Sequence, residues 1–201
     1  MLLHAFIPAS RANGPGLRSV VFFQGCTLAC QNCFNPDSHP FTGADVSIPA
    51  VAERVVQAHK EHGTEGVTFS GGEPMQQAPA LLELMQTLHQ QLPSLSFGMF
   101  SGYTDLELVL GRYSIWGRDY SETERRRFWR KIQEHLDFAV LGRFNEAQPS
   151  GLPLRTSRSQ ALRMLTSRYD VRDFGPQSVE VSVHPDGRAE VTGFPVLGLP
   201  W

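Results

Sequence analysis

Apolar residues recur at helical spacing in two stretches of the chain. After Ser47, the residues Ile48, Val51, Ala52, Val55 and Val56 share one face, and Gly63 closes the segment. From Pro79 to Pro93 the same spacing gathers Leu81, Leu84, Met85, Leu88 and Leu92. Short apolar runs at Val67–Ser70 and Leu95–Phe100 read as buried strands. Alternating strand and helix predicts an α/β fold, with a parallel sheet and right-handed crossovers. Within 113–135 the pattern turns polar. There Ser121-Glu122-Thr123-Glu124 forms a capping box that opens a helix carrying Arg125, Arg126, Arg127 and Arg130. Near the end, Val179–Val183 and Arg188–Thr192 flank Pro185-Asp186-Gly187 and predict a C-terminal β-hairpin. No repeat, low-complexity segment or linker divides the chain.

At 201 residues the chain is long enough to bury one sizeable core. A formal net charge of −2 provides no field for nucleic acid or anionic lipid. No apolar run approaches the ~18–20 residues of a membrane span. Met1 to Pro8 lacks a basic region followed by a long apolar one, so it does not read as a secretory signal. The expectation is a cytoplasmic protein with neither membrane nor nucleic acid as partner.

The cysteines carry more information. There are three, Cys26, Cys30 and Cys33, all within one short stretch. An odd number so close together is a poor disulfide framework and suits a reducing cytosol. Three soft thiolates on one loop suit zinc or an iron–sulfur cluster. Zinc would want a fourth ligand, for which His39 is the nearby residue, giving a Cys3His site. A 4Fe-4S cluster usually takes four cysteines, so three would leave one iron open to a ligand that is also a reactant.

The stretch Gly25-Cys26-Thr27-Leu28-Ala29-Cys30-Gln31-Asn32-Cys33-Phe34-Asn35-Pro36 resembles the cluster loop of radical S-adenosylmethionine (SAM) enzymes. More narrowly, it is similar to that of the activating proteins of glycyl-radical enzymes, above all the anaerobic ribonucleotide reductase type. Further motifs follow the same order. Asn13-Gly14-Pro15-Gly16-Leu17-Arg18 and a strand precede the loop, and Ser70-Gly71-Gly72-Glu73-Pro74 resembles the SAM-binding turn. Ser101-Gly102-Tyr103-Thr104 comes next, and Leu136–Phe144 looks like a further shared strand. The resemblance implies an incomplete (β/α) barrel of the radical SAM type. Six or fewer βα units fit, because eight need about 250 residues. It also implies a single domain over 1–201, with 113–135 as an inserted helical segment.

By the same resemblance, Cys26, Cys30 and Cys33 are the ligands of a 4Fe-4S cluster with one open iron. Asn32, Cys33, Phe34, Gly71, Gly72 and Glu73 are the SAM contacts. Glu73 would accept hydrogen bonds from the methionine ammonium, and the Phe34 ring would lie beside the adenine. No side chain is implied as catalytic, since the radical is carried by the cofactor. The implied function is reductive cleavage of SAM to generate a glycyl radical on a partner enzyme. Reduction would come from an external carrier such as flavodoxin or ferredoxin, because these cysteines cannot build a second cluster.

Plainer readings stand beside each of these. Gly71-Gly72-Glu73 also suits a strand-to-helix turn, with Glu73 at a positive helix N-terminus. Phe34 also suits the core, and Ser101-Gly102-Tyr103 a simple turn. The arginines after Ser121 suit either a solvated helix or a docking surface for an acidic partner. His59 and His62 share a helical face, a weak metal pattern that a solvated surface explains as well. Asn13 departs from the family, which usually has Asp there, and this bears on partner identity. Two alternative functions remain open at this level: a radical SAM enzyme acting on a small molecule or peptide, and a non-catalytic Cys3His zinc-stabilised interaction module.

Overall fold

The computed structural model describes residues 1–183, 187 and 189–194. Its central sheet runs in chain order through β1 (Leu3–Ser10), β2 (Arg18–Phe23), β3 (Gly66–Gly71), β4 (Ser96–Ser101), β5 (Phe138–Leu141) and β6 (Ala161–Met164). Strands β2 to β5 are parallel, as the alternating pattern predicts. The two edge strands are antiparallel to their neighbours, and the sequence reading did not anticipate them. Their connections explain the direction. Residues 11–17 are too few for a crossover, and residues 142–160 carry no helix to return across the sheet.

Helix α1 (Ile48–His62) joins β2 to β3, and α2 (Ala78–Gln91) joins β3 to β4. α3 (Asp105–Leu110) and α4 (Glu122–Gln133) together join β4 to β5. Their ends follow the sequence signals. The Ser47 hydroxyl accepts the Ala50 N–H at 3.4 Å, and Gly63 ends α1 in the left-handed region at φ 66°. The capping box at Ser121 and Glu124 forms in full. α4 buries Trp129 and Ile132 and packs on α2 and α3. Two of its arginines are tied to the end of α3. Arg125 Nε donates to Gly111 O at 2.6 Å, and Arg126 Nε donates to Leu110 O at 3.1 Å. Both cations therefore satisfy carbonyls left open by a helix C-terminus. Arg127 and Arg130 are exposed. No helix among the described residues is long and apolar enough to cross a membrane.

The two faces of the parallel sheet differ chemically. Val21, Phe23, Val67, Phe69, Phe97, Met99, Ala139 and Leu141 point to the helices and form the main core with them. Alternate positions point the other way, and on β3 and β4 they include the small or polar Thr68, Ser70, Ser96 and Gly98. Arg18 lies fully buried among them. It donates from Nε to Thr68 Oγ1 at 2.9 Å, from Nη1 to Ser96 Oγ at 2.7 Å, and from Nη2 to Val67 O at 3.0 Å. Its guanidinium carbon also sits 5.1 Å from the centre of the Phe138 ring. The side chain thus staples the amino-terminal ends of β2, β3 and β4. Phe138, Val140, Leu154, Phe174 and Phe194 form a second, smaller core on this side.

The expected hairpin forms, as β7 (Val179–Val183) and β8 (Ala189–Gly193). Of its predicted turn and flanks, Pro185, Asp186, Arg188 and the following Pro195 lie outside the described residues. Glu180 binds the Ser10 hydroxyl and the Arg11 N–H, which holds the hairpin to the end of β1.

A Cβ at Gly98 would lie less than 3.0 Å from the Phe138 ring. Gly98→Ala is expected to destabilise the protein by about 1–3 kcal/mol through overpacking. Adding Phe138→Leu should return part of that loss. Strictly additive losses in urea denaturation would show that the ring is not what excludes the Cβ.

Candidate cofactor site

The site is built where the parallel strands end. β2 runs out at Phe23, and the chain enters the cysteine loop through Gln24 and Gly25. Backbone bonds fold that loop on itself: Gly25 N–H donates to Ser38 O at 2.7 Å and Cys26 N–H to His39 O at 2.9 Å. The buried Gln24 amide adds donations to Asp37 O at 3.1 Å and Pro40 O at 2.7 Å. Between the cysteines, Ala29 and Asn32 take left-handed φ values of 48° and 53°, turning the chain twice within the motif. Leu28 N–H donates to Cys26 Sγ at 3.4 Å.

All three cysteines are free and half-buried. Burial pushes the Cys26 thiol up to about 11, and it raises Cys33 as well. A metal bound there would hold these sulfurs as thiolates at neutral pH. They line a cavity of about 670 Å³ together with Asn32, Phe34, Gly71, Gly72 and Glu73. Every ligand and SAM contact expected from the sequence thus faces one space. The donor set suits an iron–sulfur centre, and the volume falls within the ordinary range for small-molecule sites.

The glycine turn is joined directly to the cysteine loop. Gly72 N–H donates to Phe23 O at 2.8 Å, and Glu73 N–H donates to Gly25 O at 2.9 Å. A Cβ at Gly71 would come 2.5 Å from Phe23 N, and one at Gly72 would come 2.8 Å from Ser38 O. Glycine is therefore demanded here by the close approach of two backbones. Glu73 is fully buried at the floor. Its Oε1 accepts from Met75 N–H and Ser101 Oγ, each at 2.9 Å, and its Oε2 accepts from Gly102 N–H at 2.7 Å. Burial nevertheless pushes its carboxyl up to about 7, against these three donors and the nearby Arg143.

The other expected residues divide. Phe34 is half-buried rather than in the core, with its ring 4.7 Å from that of Phe144. Asn32 is exposed at the rim, its amide bound to Glu146. Ser101 and Gly102 line the cavity. Tyr103 turns away into the core, and its hydroxyl accepts from Gln76 at 2.7 Å. Asn13 lines the far wall, where Nδ2 donates to Ser10 Oγ and Thr192 Oγ1, both at 2.9 Å. This donor role would not be met by the ionised aspartate usual in the family. His39 also lines the cavity. Among the described residues, however, no group of three or more His, Cys, Asp or Glu side chains is gathered to hold a single ion. His59 turns its Nδ1 to Thr64 O at 2.8 Å.

Phe144, Gln160 and Phe194 also line the cavity, and the sequence did not mark them as site residues. Phe144 carried a usable signal. It follows β5 as the cysteine loop follows β2 and the glycine turn follows β3, and ligands in such sheets gather at the carboxyl ends of the strands.

Residues 12–163 match a family model described as 4Fe-4S single cluster domain. Over 171 residues, the chain is 26% identical to the anaerobic ribonucleoside-triphosphate reductase-activating protein of Vibrio cholerae, covering 83% of this chain and 99% of that one. It is 26% identical over 119 residues to the protein of the same name from Escherichia coli, covering 57% of this chain and 77% of the relative. A pyruvate formate-lyase-activating enzyme of Clostridium pasteurianum is 33% identical over 92 residues, which is 44% of this chain and 39% of that enzyme.

The position of Glu73 has a pH signature. Its folded value near 7 lies above the ordinary 4.5, so the folded state keeps a proton that the unfolded chain has released. Stability from this group is greatest below pH 4.5 and falls as pH rises toward 7. Relative to Glu73→Gln, the protein with Glu73 should lose on the order of 3 kcal/mol across that window. Anaerobic urea denaturation of both proteins at pH 5 and pH 8 measures this. A difference that does not change with pH would contradict the assignment.

Proposed function

The chain belongs to the 4Fe-4S single cluster domain family, and from that premise we propose that it is a radical SAM activase. In this reading it generates a glycyl radical on a partner enzyme, such as an anaerobic ribonucleotide reductase. The observation that carries the reading is the junction of the cysteine loop and the glycine turn. Two loops that the sequence separates by some forty residues share backbone hydrogen bonds and border one cavity. The names of the relatives agree with the activase motifs quoted above.

Cys26, Cys30 and Cys33 hold the cluster in this proposal, leaving one iron for SAM. Asn32, Cys33, Phe34, Gly71, Gly72 and Glu73 form the SAM site. Bound there, cluster and SAM would supply one-electron reductive cleavage of the sulfonium and, from it, hydrogen-atom abstraction at a glycine of the partner.

The chain's own residues supply binding and exclusion. Glu73 keeps one side of its Oε2 for an ammonium donor, since among the described residues Gly102 N–H is its one partner there. The Phe34 and Phe144 rings wall the rim with apolar surface and keep water from the nucleoside. The backbone of Gly71 and Gly72, free of side chains, lets a ligand approach the end of β3. The four parallel strands and their edge strands are read as the incomplete barrel of this enzyme class, with 1–201 as one domain and 113–135 an insertion within it. An external flavodoxin or ferredoxin is the proposed donor, and the three free thiols suit a reducing compartment.

Anaerobic reconstitution with iron and sulfide, then reduction in the presence of SAM, is expected to yield 5′-deoxyadenosine. Cys30→Ala should reduce that yield to background. Tightly held zinc and no deoxyadenosine from the unsubstituted protein would leave a metal-stabilised binding domain instead.

A further inference from the structure

One buried side chain holds the cysteine loop from behind the cavity. Gln76 lies in the short 3-10 turn Pro74–Gln77 that follows Glu73, and it is 1% exposed. Its Oε1 accepts the Thr27 N–H at 3.0 Å. Its Nε2 lies 2.7 Å from Thr27 Oγ1, 2.7 Å from the Tyr103 hydroxyl and 3.0 Å from Ser114 Oγ. Tyr103 and Ser114 are themselves bound, hydroxyl to hydroxyl at 3.0 Å. The Gln76 carbonyl accepts the Trp116 N–H at 2.7 Å. Both ends of this amide and its own backbone are thus occupied, and none of its contacts faces the cavity.

Thr27 is the residue immediately after Cys26, and Gln76 grips it at both N–H and hydroxyl. The next N–H in the chain, that of Leu28, points at Cys26 Sγ. A donor on a ligand sulfur favours the cluster state that carries more negative charge, which is the reduced one. We propose that Gln76 is a positioning residue that fixes the Leu28 N–H on the Cys26 sulfur and so raises the reduction potential of the cluster on this loop. The inference rests on the activase reading in taking Cys26 as a ligand, and it adds how this chain tunes that ligand.

A merely structural tie would change stability and leave the potential alone, so the potential is the discriminating readout. The test compares the reconstituted protein with Gln76→Met and with Gln86→Met, an exposed position on α2. Iron and sulfide content is measured first, followed by a potentiometric titration monitored by electron paramagnetic resonance without SAM. Gln76→Met is expected to bind the same iron and sulfide. At fixed potential its reduced-to-oxidised ratio should fall about tenfold, equivalent to 59 mV for one electron. Gln86→Met should match the unsubstituted protein. A native potential and line shape in Gln76→Met would overturn the proposal. If that variant holds no cluster, Thr27→Val decides, since it removes one of the two grips and leaves the backbone N–H in place. A lowered potential in Thr27→Val supports the proposal, and a native one overturns it. Failure of the unsubstituted chain to load a reducible cluster would refute the activase reading itself.

Discussion

Two backbone hydrogen bonds, Gly72 to Phe23 and Glu73 to Gly25, join the ends of β2 and β3 beyond the last paired residues of the sheet. They continue the parallel register into the loops, so the cysteine motif and the glycine turn inherit the order of the strands. The junction tolerates no side chain at Gly71 or Gly72. It leaves Glu73 directed beneath the cavity, where the turn ending β4 supplies two of its donors. The plain reading of Gly-Gly-Glu as a strand-ending turn describes these atoms, and the proposed cofactor turn uses the same ones. The backbone demand fixes the glycines, and the buried carboxylate is what remains for chemistry.

At the opposite end of the same strands, Arg18 performs a different task. A fully buried guanidinium is costly to desolvate, and burial lowers its proton affinity. Its donors are nonetheless met by hydroxyls and carbonyls from β3, β4 and the loop before β2. This plug sits beside the smaller core around Phe138, at the amino-terminal end of the sheet face. Toward the carboxyl ends the small side chain of Ser70 leaves room, and Phe22 and Phe100 border the cavity there. The helix-facing side carries the larger core, so the main core and the site occupy opposite faces.

Legibility from the sequence followed signal strength. α1 and α2 were readable because caps, prolines and apolar spacing agreed over several turns. The cysteine motif was readable because its spacing has few innocent explanations. β1 was missed because Pro8 interrupts it, and β6 because a four-residue strand with alternate exposed positions gives almost no periodic pattern. α3 is a six-residue helix whose best marker was the capping box at Thr104 and Glu107. The roles of Asn13, Gln76 and Phe194 were not legible in principle. Each depends on partners that tertiary folding alone brings near, such as Tyr103 and Ser114 for Gln76. Ser101-Gly102-Tyr103 left both readings open, and its residues divide: the first two line the cavity while the Tyr103 ring turns the other way.

The bond from Asn13 to Thr192 spans 179 positions, and that from Ser10 to Glu180 spans 170. Contacts of such sequence separation carry a large loop-closure entropy and form late. Chain synthesis runs from the amino terminus, so β1 to β5, the cysteine loop and the glycine turn emerge well before the hairpin. The cavity accordingly begins as an open trough on the sheet and acquires its far wall only when β8 arrives.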